Sequence, residues 1–286
     1  MNIMKFRPLF YLISLSLLTV SIFSIVKWGF VKGIDFVGGT VWELKVPNLK
    51  NSDPIQKIFD TEKIQLSSVT AEGDNKYLLK FANINQDQKV ALDNSIKTID
   101  KDFQELRFET LGPSLGKELL QKTIYAIILS SIALLLFIGS RFKDLTFGAS
   151  AVLAMFHDSI ILVGAFSLLG HFLGAEVDAL FVTALLTTLS ASVHDTVVTF
   201  DRIRELKRTS YNLSWVEMAN QAVSEVIVRS INNSMTVIFM LLALVLLGGD
   251  TTRWFALALL IGVVCGTYSS TGVAIPLVLL WKRNKK

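Results

Sequence analysis

The chain has 286 residues, 51% of them hydrophobic, with a mean hydropathy of +0.51 and a formal net charge of only +4. So apolar a balance excludes an ordinary soluble domain and points to a protein of the membrane. A single cysteine, Cys265, excludes a disulfide framework and reads as a small packing residue in an apolar segment.

Six apolar stretches approach the roughly 20 residues that a bilayer asks of a helix. They are Leu9–Trp28, Ile124–Ser140, Leu145–Leu169, Ala179–Phe200, Ser230–Leu247 and Trp254–Trp281. The first follows Lys5 and Arg7 as a signal peptide would. It lacks a small-residue cleavage site, so it reads as a retained helix. Basic residues sort the loops. Lys5 and Arg7, Arg141 and Lys143, Arg202, Arg204, Lys207 and Arg208, and the C-terminal KRNKK fall on one side. The opposite short loops hold only Arg253. By the positive-inside rule both termini are cytoplasmic. The expected organisation is a first span over 1–28 and an α+β domain on the outer face over 29–122. A five-helix membrane domain over 123–286 follows, with a cytoplasmic amphipathic loop at 201–229.

After the first span comes GIDFVGGT, a glycine-rich turn around Asp35 that leads into an alternating strand, Thr40–Val46. No Gly-Lys-Ser/Thr follows, which argues against a phosphate loop. Helical spacing over Asp53–Lys63 and Asp87–Phe103 alternates with strands at Ser67–Ala71, Lys76–Phe81 and Leu106–Leu111. The order strand–helix–strand–strand–helix–strand predicts a ferredoxin-like domain. It holds no His or Cys, so a binding or mechanical role is its default. LGPSLGKELL, with Gly112, Pro113 and Gly116, then acts either as a hinge or as the cap of the second span.

Polar residues inside the spans carry the functional argument. An ionisable side chain there costs roughly 2.5–3.5 kcal/mol on insertion scales and marks a functional site by default. The third span contains His157 and Asp158, roughly 18 Å from its outer end. Two readings stand for this pair: a functional site, or a hydrogen bond holding helices together. In the fourth span Thr188, Ala191, Ser192, Asp195, Val198, Thr199 and Arg202 share one face. His194 sits about 100° round from Asp195. The fifth span opens with a second stripe, Arg229, Asn232, Asn233 and Thr236, after an amphipathic run from Trp215 that predicts an interfacial helix. At 1.5 Å per residue Asp195 and Arg229 both lie roughly 25–29 Å from the outer surface, level enough to pair. Pairing favours the charged carboxylate and burial the neutral one, a balance suited to carrying a proton. The alternative is that Arg229 snorkels to lipid head groups and Asp195 serves packing alone. In the sixth span Gly262 and Gly266 form a GxxxG face, followed by a polar run from Thr267 to Thr271.

Five blocks resemble the bacterial SecF family, the smaller half of the SecDF protein-export complex in the resistance–nodulation–division superfamily. They are GIDFVGGT at 33–40, LGPSLGKEL at 111–119, HDTVVTFDRIRE at 194–205, RSINNSMT at 229–236 and GTYSS at 266–270. The resemblance implies a polytopic α-helical inner-membrane protein of six spans, with its ferredoxin-like periplasmic domain between the first two. It implies a proton-driven role in preprotein translocation and release at the periplasmic face. It brings SecD, the SecYEG channel, YajC, unfolded preprotein and membrane lipid as partners, and no nucleic acid, cofactor, metal or covalent catalysis. Carried over residue by residue, it implies a proton pathway through Asp195 and Arg229; the polar residues of the spans offer Asp158, His194, Asn233, Thr236 and Thr188 as further members of that pathway. The glycine blocks supply structural or hinge positions at Gly33, Asp35, Gly38, Gly39, Gly112, Pro113 and Gly116. The family usually has Asn where this chain has His194, which adds a group that titrates near neutral pH. Two other functions fit the same spans: a proton-coupled small-molecule exporter of that superfamily, or a purely structural partner of the channel.

Overall fold

The computed structural model describes every residue except Met1, Lys50, Glu72, Asp74, Lys143, Ser210, Tyr211 and 284–286. The basic residue Lys143, two residues of the EGDN turn and most of the KRNKK tail thus lie outside the described residues. The chain divides into two units, Lys32–Tyr125 and the combination of Met1–Val31 with Ala126–Lys286.

Hydropathy builds the larger unit. Its helices are α1 (Arg7–Trp28, after a 3-10 turn at Ile3–Phe6), the inner part of α5 (Pro113–Arg141), α6 (Leu145–Leu173), α7 (Ala179–Thr209), α8 (Trp215–Leu247) and α9 (Asp250–Ser269). After α9 a π-helical turn, Ser270–Ala274, leads into α10 (Ile275–Arg283). Six helical runs are long and apolar enough to cross a membrane, the last being Thr252–Lys282. Half or more of α6, α7 and the last span is buried, against 17% of the first span, 6% of α5 and 11% of α8. Leu129, Leu136, Phe239, Met240 and Leu246 are all exposed. In water so much open apolar surface would be an aggregation hazard, whereas lipid tails cover it without penalty.

Small residues set how closely these helices approach. The side chains that α1 buries are Ser14, Ser21 and Ser24. A Cβ at Gly164 of α6 would stand 2.2 Å from the Ser21 Cβ, so only glycine fits there. Ser24 donates to Ser167 at 3.0 Å, and Ser167 to the Gly29 carbonyl at 2.7 Å. At the other end of α6 the Asp144 carboxylate accepts from Thr146 N at 3.1 Å and pairs with Lys282. Burial alone would raise the Asp144 carboxyl, but the Lys282 and Thr146 hydrogen bonds outweigh it and hold it at about 2.

Two helices run further than their apolar stretches. α8 is one helix of 33 residues, where an interfacial helix followed by a span was expected. No Gly or Pro interrupts it, and a Ser214–Glu217 capping box starts it. α7 continues to Thr209 on a charged tail braced by i,i+3 pairs, Arg202–Glu205 and Arg204–Asp201. Helix therefore occupies most of the 201–229 segment expected as a loop.

The smaller unit contains α2 (Ile34–Val37), β1 (Gly39–Lys45), α3 (Asp53–Thr61), β2 (Leu66–Ala71), β3 (Lys76–Phe81), α4 (Gln86–Ile99) and β4 (Gln104–Leu111). The sheet order is β2-β3-β1-β4 and its three pairings are antiparallel, which is the ferredoxin-like arrangement. Trp42, Leu44, Phe59, Leu79, Phe81, Leu92 and Ile96 fill its core. An Asn85–Gln88 capping box starts α4. Asp100 ends it and accepts from Asn48 N at 2.9 Å and Asp102 N at 3.0 Å, and these bonds hold its carboxyl below the ordinary range.

The glycine blocks meet inside this unit. Gly38 and Gly39 have positive φ, +80° and +151°. A Cβ on Gly38 would stand 2.8 Å from Pro113, and one on Gly116 would stand 2.9 Å from the Gly38 nitrogen. The GIDFVGGT turn and the start of α5 thus pack backbone against backbone, with Pro113 as the first residue of α5.

Candidate functional site

α7 and α9 touch through their small residues. A Cβ on Gly262 would lie 2.1 Å from Thr188 Cγ2, and one on Gly266 would lie 3.2 Å from Ser192 Cα. The GxxxG face of α9 therefore fits against Thr188 and Ser192 of α7, next to two polar clusters, one shared with α6 and one with α8.

The first cluster is sealed. Asp158 on α6 is only 6% exposed. Its Oδ2 accepts from Ser192 Oγ of α7 at 2.6 Å and from Ser269 Oγ of α9 at 2.5 Å. Its Oδ1 lies 2.9 Å from His157 Nδ1. One carboxylate thus ties three helices, accepting from two serine hydroxyls and, when the imidazole carries its proton on Nδ1, from His157 as well. The far nitrogen of the same imidazole, His157 Nε2, is buried with no hydrogen-bond partner among the described residues. Of the two readings left open by the sequence, the geometry shows the bond between helices: Asp158 joins α6 to α7 and α9.

The second cluster is open. Ser230 Oγ of α8 donates to Asp195 Oδ2 at 2.8 Å, and His194 Nδ1 stands 3.5 Å from Oδ1. The Asp195 side chain is 17% exposed and that of His194 is 73% exposed. Among the described residues no ion pair joins Asp195 to Arg229, contrary to the expected pairing. Helical rise sets depth, but rotation about the axis selects the facing residue, and Ser230 rather than Arg229 turns to the carboxylate. Ser230 was missed because it lies one position off the polar stripe.

Arg229 still shares space with Asp195. A cavity of about 300 Å³ is walled by Thr188, Ser192, His194, Asp195, Asn233 and Thr267, among others. A second, of about 230 Å³, shares His194, Asp195 and Asn233 with it and adds Arg229 and Ser230. A third, of about 500 Å³, shares Val198, Val226 and Arg229 with the second and opens among Asp201, Arg202, Glu205 and Glu225. These adjoining spaces follow the α7–α8 groove from the bundle interior to the charged end of α7. There Arg202 pairs with Glu225 and Glu205, and Asp201 pairs with Arg141 and Arg204.

The other expected members sort by geometry. Thr188 is buried on the wall of the first cavity, its hydroxyl donating to the Leu185 carbonyl at 2.9 Å. Asn233 lines the first two cavities. Thr236 stands apart, exposed, with its hydroxyl on the Asn233 carbonyl at 2.7 Å. Among the described residues no group of three or more His, Cys, Asp or Glu is arranged to hold a metal ion.

The fold and these clusters define a polytopic helical membrane protein with a ferredoxin-like domain after its first span and ionisable groups within the bundle. The chain belongs to the SecD/SecF family of protein export membrane proteins: the family model described as "Protein export membrane protein SecD/SecF, C-terminal" matches residues 91–284. It is 37% identical to the protein translocase subunit SecF of Thermobaculum terrenum, over 99% of this chain and 94% of that one. Identity to the SecF of Haemophilus influenzae is 34%, over 95% and 83% of the two chains. A crystal structure of SecDF, a translocon-associated membrane protein from Thermus thermophilus, superposes with a TM-score of 0.86 at 30% identity. That alignment covers 99% of this chain and 39% of the longer one.

Proposed function

We propose that this SecF-like translocase subunit uses the proton gradient of the bacterial inner membrane to promote preprotein translocation and release at the periplasmic face. The observation that carries the reading is Asp195: a titratable side chain within an apolar span, on the wall of two adjoining cavities, one of which also holds Arg229. A proton entering the groove meets a carboxylate whose bond to Ser230 changes with its charge. Arg229 lends a fixed positive charge to the same space, and Asn233, Thr188 and His194 supply polar walls along the path. Conformational change rather than covalent chemistry does the work.

SecD is the expected partner, because the Thermus thermophilus relative carries SecD and SecF in one chain and this chain aligns to a 39% share of it. The apolar faces left open on α1, α5 and α8 suit such a helical partner and lipid. The SecYEG channel and YajC complete the assembly, with both termini cytoplasmic and the ferredoxin-like unit periplasmic. The test uses membrane vesicles holding the whole complex, in which an imposed proton gradient speeds preprotein release. Asp195→Asn is expected to insert normally and to lower gradient-driven release to the level seen without a gradient. Unchanged release in that variant would remove the proton role. Replacing the proton gradient with a sodium gradient identifies the coupling ion.

A further inference from the structure

We propose that Asp158 is a second proton-binding site, whose occupancy latches and releases the π-helical turn of the last span. The inference deepens the proton-coupled reading and takes from it only the supply of protons.

The geometry gives the latch two positions. Asp158 Oδ2 accepts two serine hydroxyls, from Ser192 and Ser269. A proton bound at that oxygen gives it a hydrogen of its own to donate and leaves it less room to accept, so it no longer holds both serine hydrogens and one serine must turn its hydrogen elsewhere. Ser269 has somewhere to go: its Oγ already lies 3.3 Å from the Gly266 carbonyl in its own helix. Protonation therefore turns the Ser269 hydrogen from the bond between helices to the Gly266 carbonyl within α9, and the tie across the helices loosens. The proton passes between the first cavity and the sealed carboxyl by way of the Ser192 hydroxyl, which stands on the cavity wall and bonds Asp158, so the step changes only the charge of the carboxyl.

The consequence falls on the next residues. Ser269 is the last residue before the π turn, a rare conformation that marks functional sites in helices. The turn's neighbours are already tied. The Tyr268 hydroxyl bonds Ser14 at 2.9 Å and the Phe10 carbonyl at 2.8 Å. A Cβ on Gly272 would stand 2.7 Å from the Tyr268 ring. Beyond the turn, Tyr11 bonds the Pro276 carbonyl at 3.0 Å and Lys282 pairs with Asp144. Releasing Ser269 thus frees the junction of α9 and α10 while its flanks stay anchored.

Around Asp158 the titratable groups are His157 on its own helix, and Cys265 and Tyr268 on α9. α7 contributes the Ser192 hydroxyl, with Asp195 on the wall of the same first cavity, and α1 contributes Tyr11 near the turn. No lysine or arginine among the described residues pairs with Asp158. Beside the carboxyl, His157 Nε2 is buried and has no hydrogen-bond partner among the described residues, a polar atom that a water molecule would satisfy.

The test uses the full chain in lipid vesicles and reads two signals against pH: the infrared band of a protonated carboxyl, and amide hydrogen exchange over 266–275 corrected for intrinsic rate. Acidification is expected to raise the band and the exchange with one midpoint. Asp158→Asn is expected to lose that band and to exchange fast at every pH. Ser269→Ala, which keeps the carboxyl, is expected to keep a band and to exchange fast even at high pH. Asp195→Asn is expected to retain both responses. A spectrum with no band that depends on Asp158, or slow exchange in Ser269→Ala at high pH, overturns the latch. The readout needs no export, so a silent Asp158 overturns the latch alone, and normal export in Asp195→Asn overturns the coupling reading alone.

Discussion

Two aspartates on adjacent helices of the bundle live in opposite surroundings. Asp158 is closed in by two serine donors and an imidazole nitrogen, on three helices, while Asp195 has one serine donor, a distant histidine and open cavities on its flank. The difference comes from packing partners rather than from the residues themselves. α9 meets α7 through Gly262 and Gly266, so the space beside Asp158 closes. α8 lies against α7 with Arg229, Ser230 and Asn233 facing cavities, so the space beside Asp195 stays open. A carboxylate that ties helices should matter most for stability, and one that faces a cavity should matter most for transport.

The largest expected effect breaks the sealed cluster. Asp158→Ala leaves two serines and an imidazole without their acceptor, and buried unsatisfied groups cost about 1–3 kcal/mol each, less where membrane helices offer substitutes. Because Ser269 can turn to Gly266, the net loss is expected to be about 2–3 kcal/mol, read as a lower midpoint of thermal unfolding in detergent. Asp195→Ala removes a single, partly exposed hydroxyl bond and is expected to cost under about 1 kcal/mol by the same measurement. Equal losses in the two variants would erase the distinction between a tie and a port.

A smaller effect comes from Asp144, a third carboxylate, at the end of α6. Its folded-state value of about 2 lies below the ordinary 3.8, so its contribution is present above pH 4 and is lost as pH falls toward 2. Unfolding midpoints recorded between pH 5 and pH 2 should fall less steeply in Asp144→Asn than in the parent. Because its side chain is 37% exposed, solvent screening keeps the difference small.

Much of this architecture is legible in the residue pattern. Long apolar runs have one physical use, so the six spans announce themselves. The alternation from Thr40 onward, and turn residues between strands, give the strand–helix order of the smaller unit. The sheet order is not written in any one strand, because it depends on which edges meet. The site divides the same way. Asp158 and Asp195 stand out because charge is expensive in an apolar span. Their partners do not, since periodicity gives the face of a helix but not its rotation against a neighbour. That is why Arg229 looked like the partner of Asp195 by depth, whereas Ser230 makes the bond. It is also why Ser192, grouped by periodicity with Asp195, spends its hydroxyl on Asp158.

Proton uptake by vesicles carrying the assembled complex, followed with an internal pH-sensitive dye under an imposed gradient, tests the port at Asp195 most directly. The account predicts rapid uptake in the parent, little above protein-free leakage in Asp195→Asn, and parental uptake in Thr236→Val, whose hydroxyl lies off the cavity walls. Parental uptake in Asp195→Asn would contradict it.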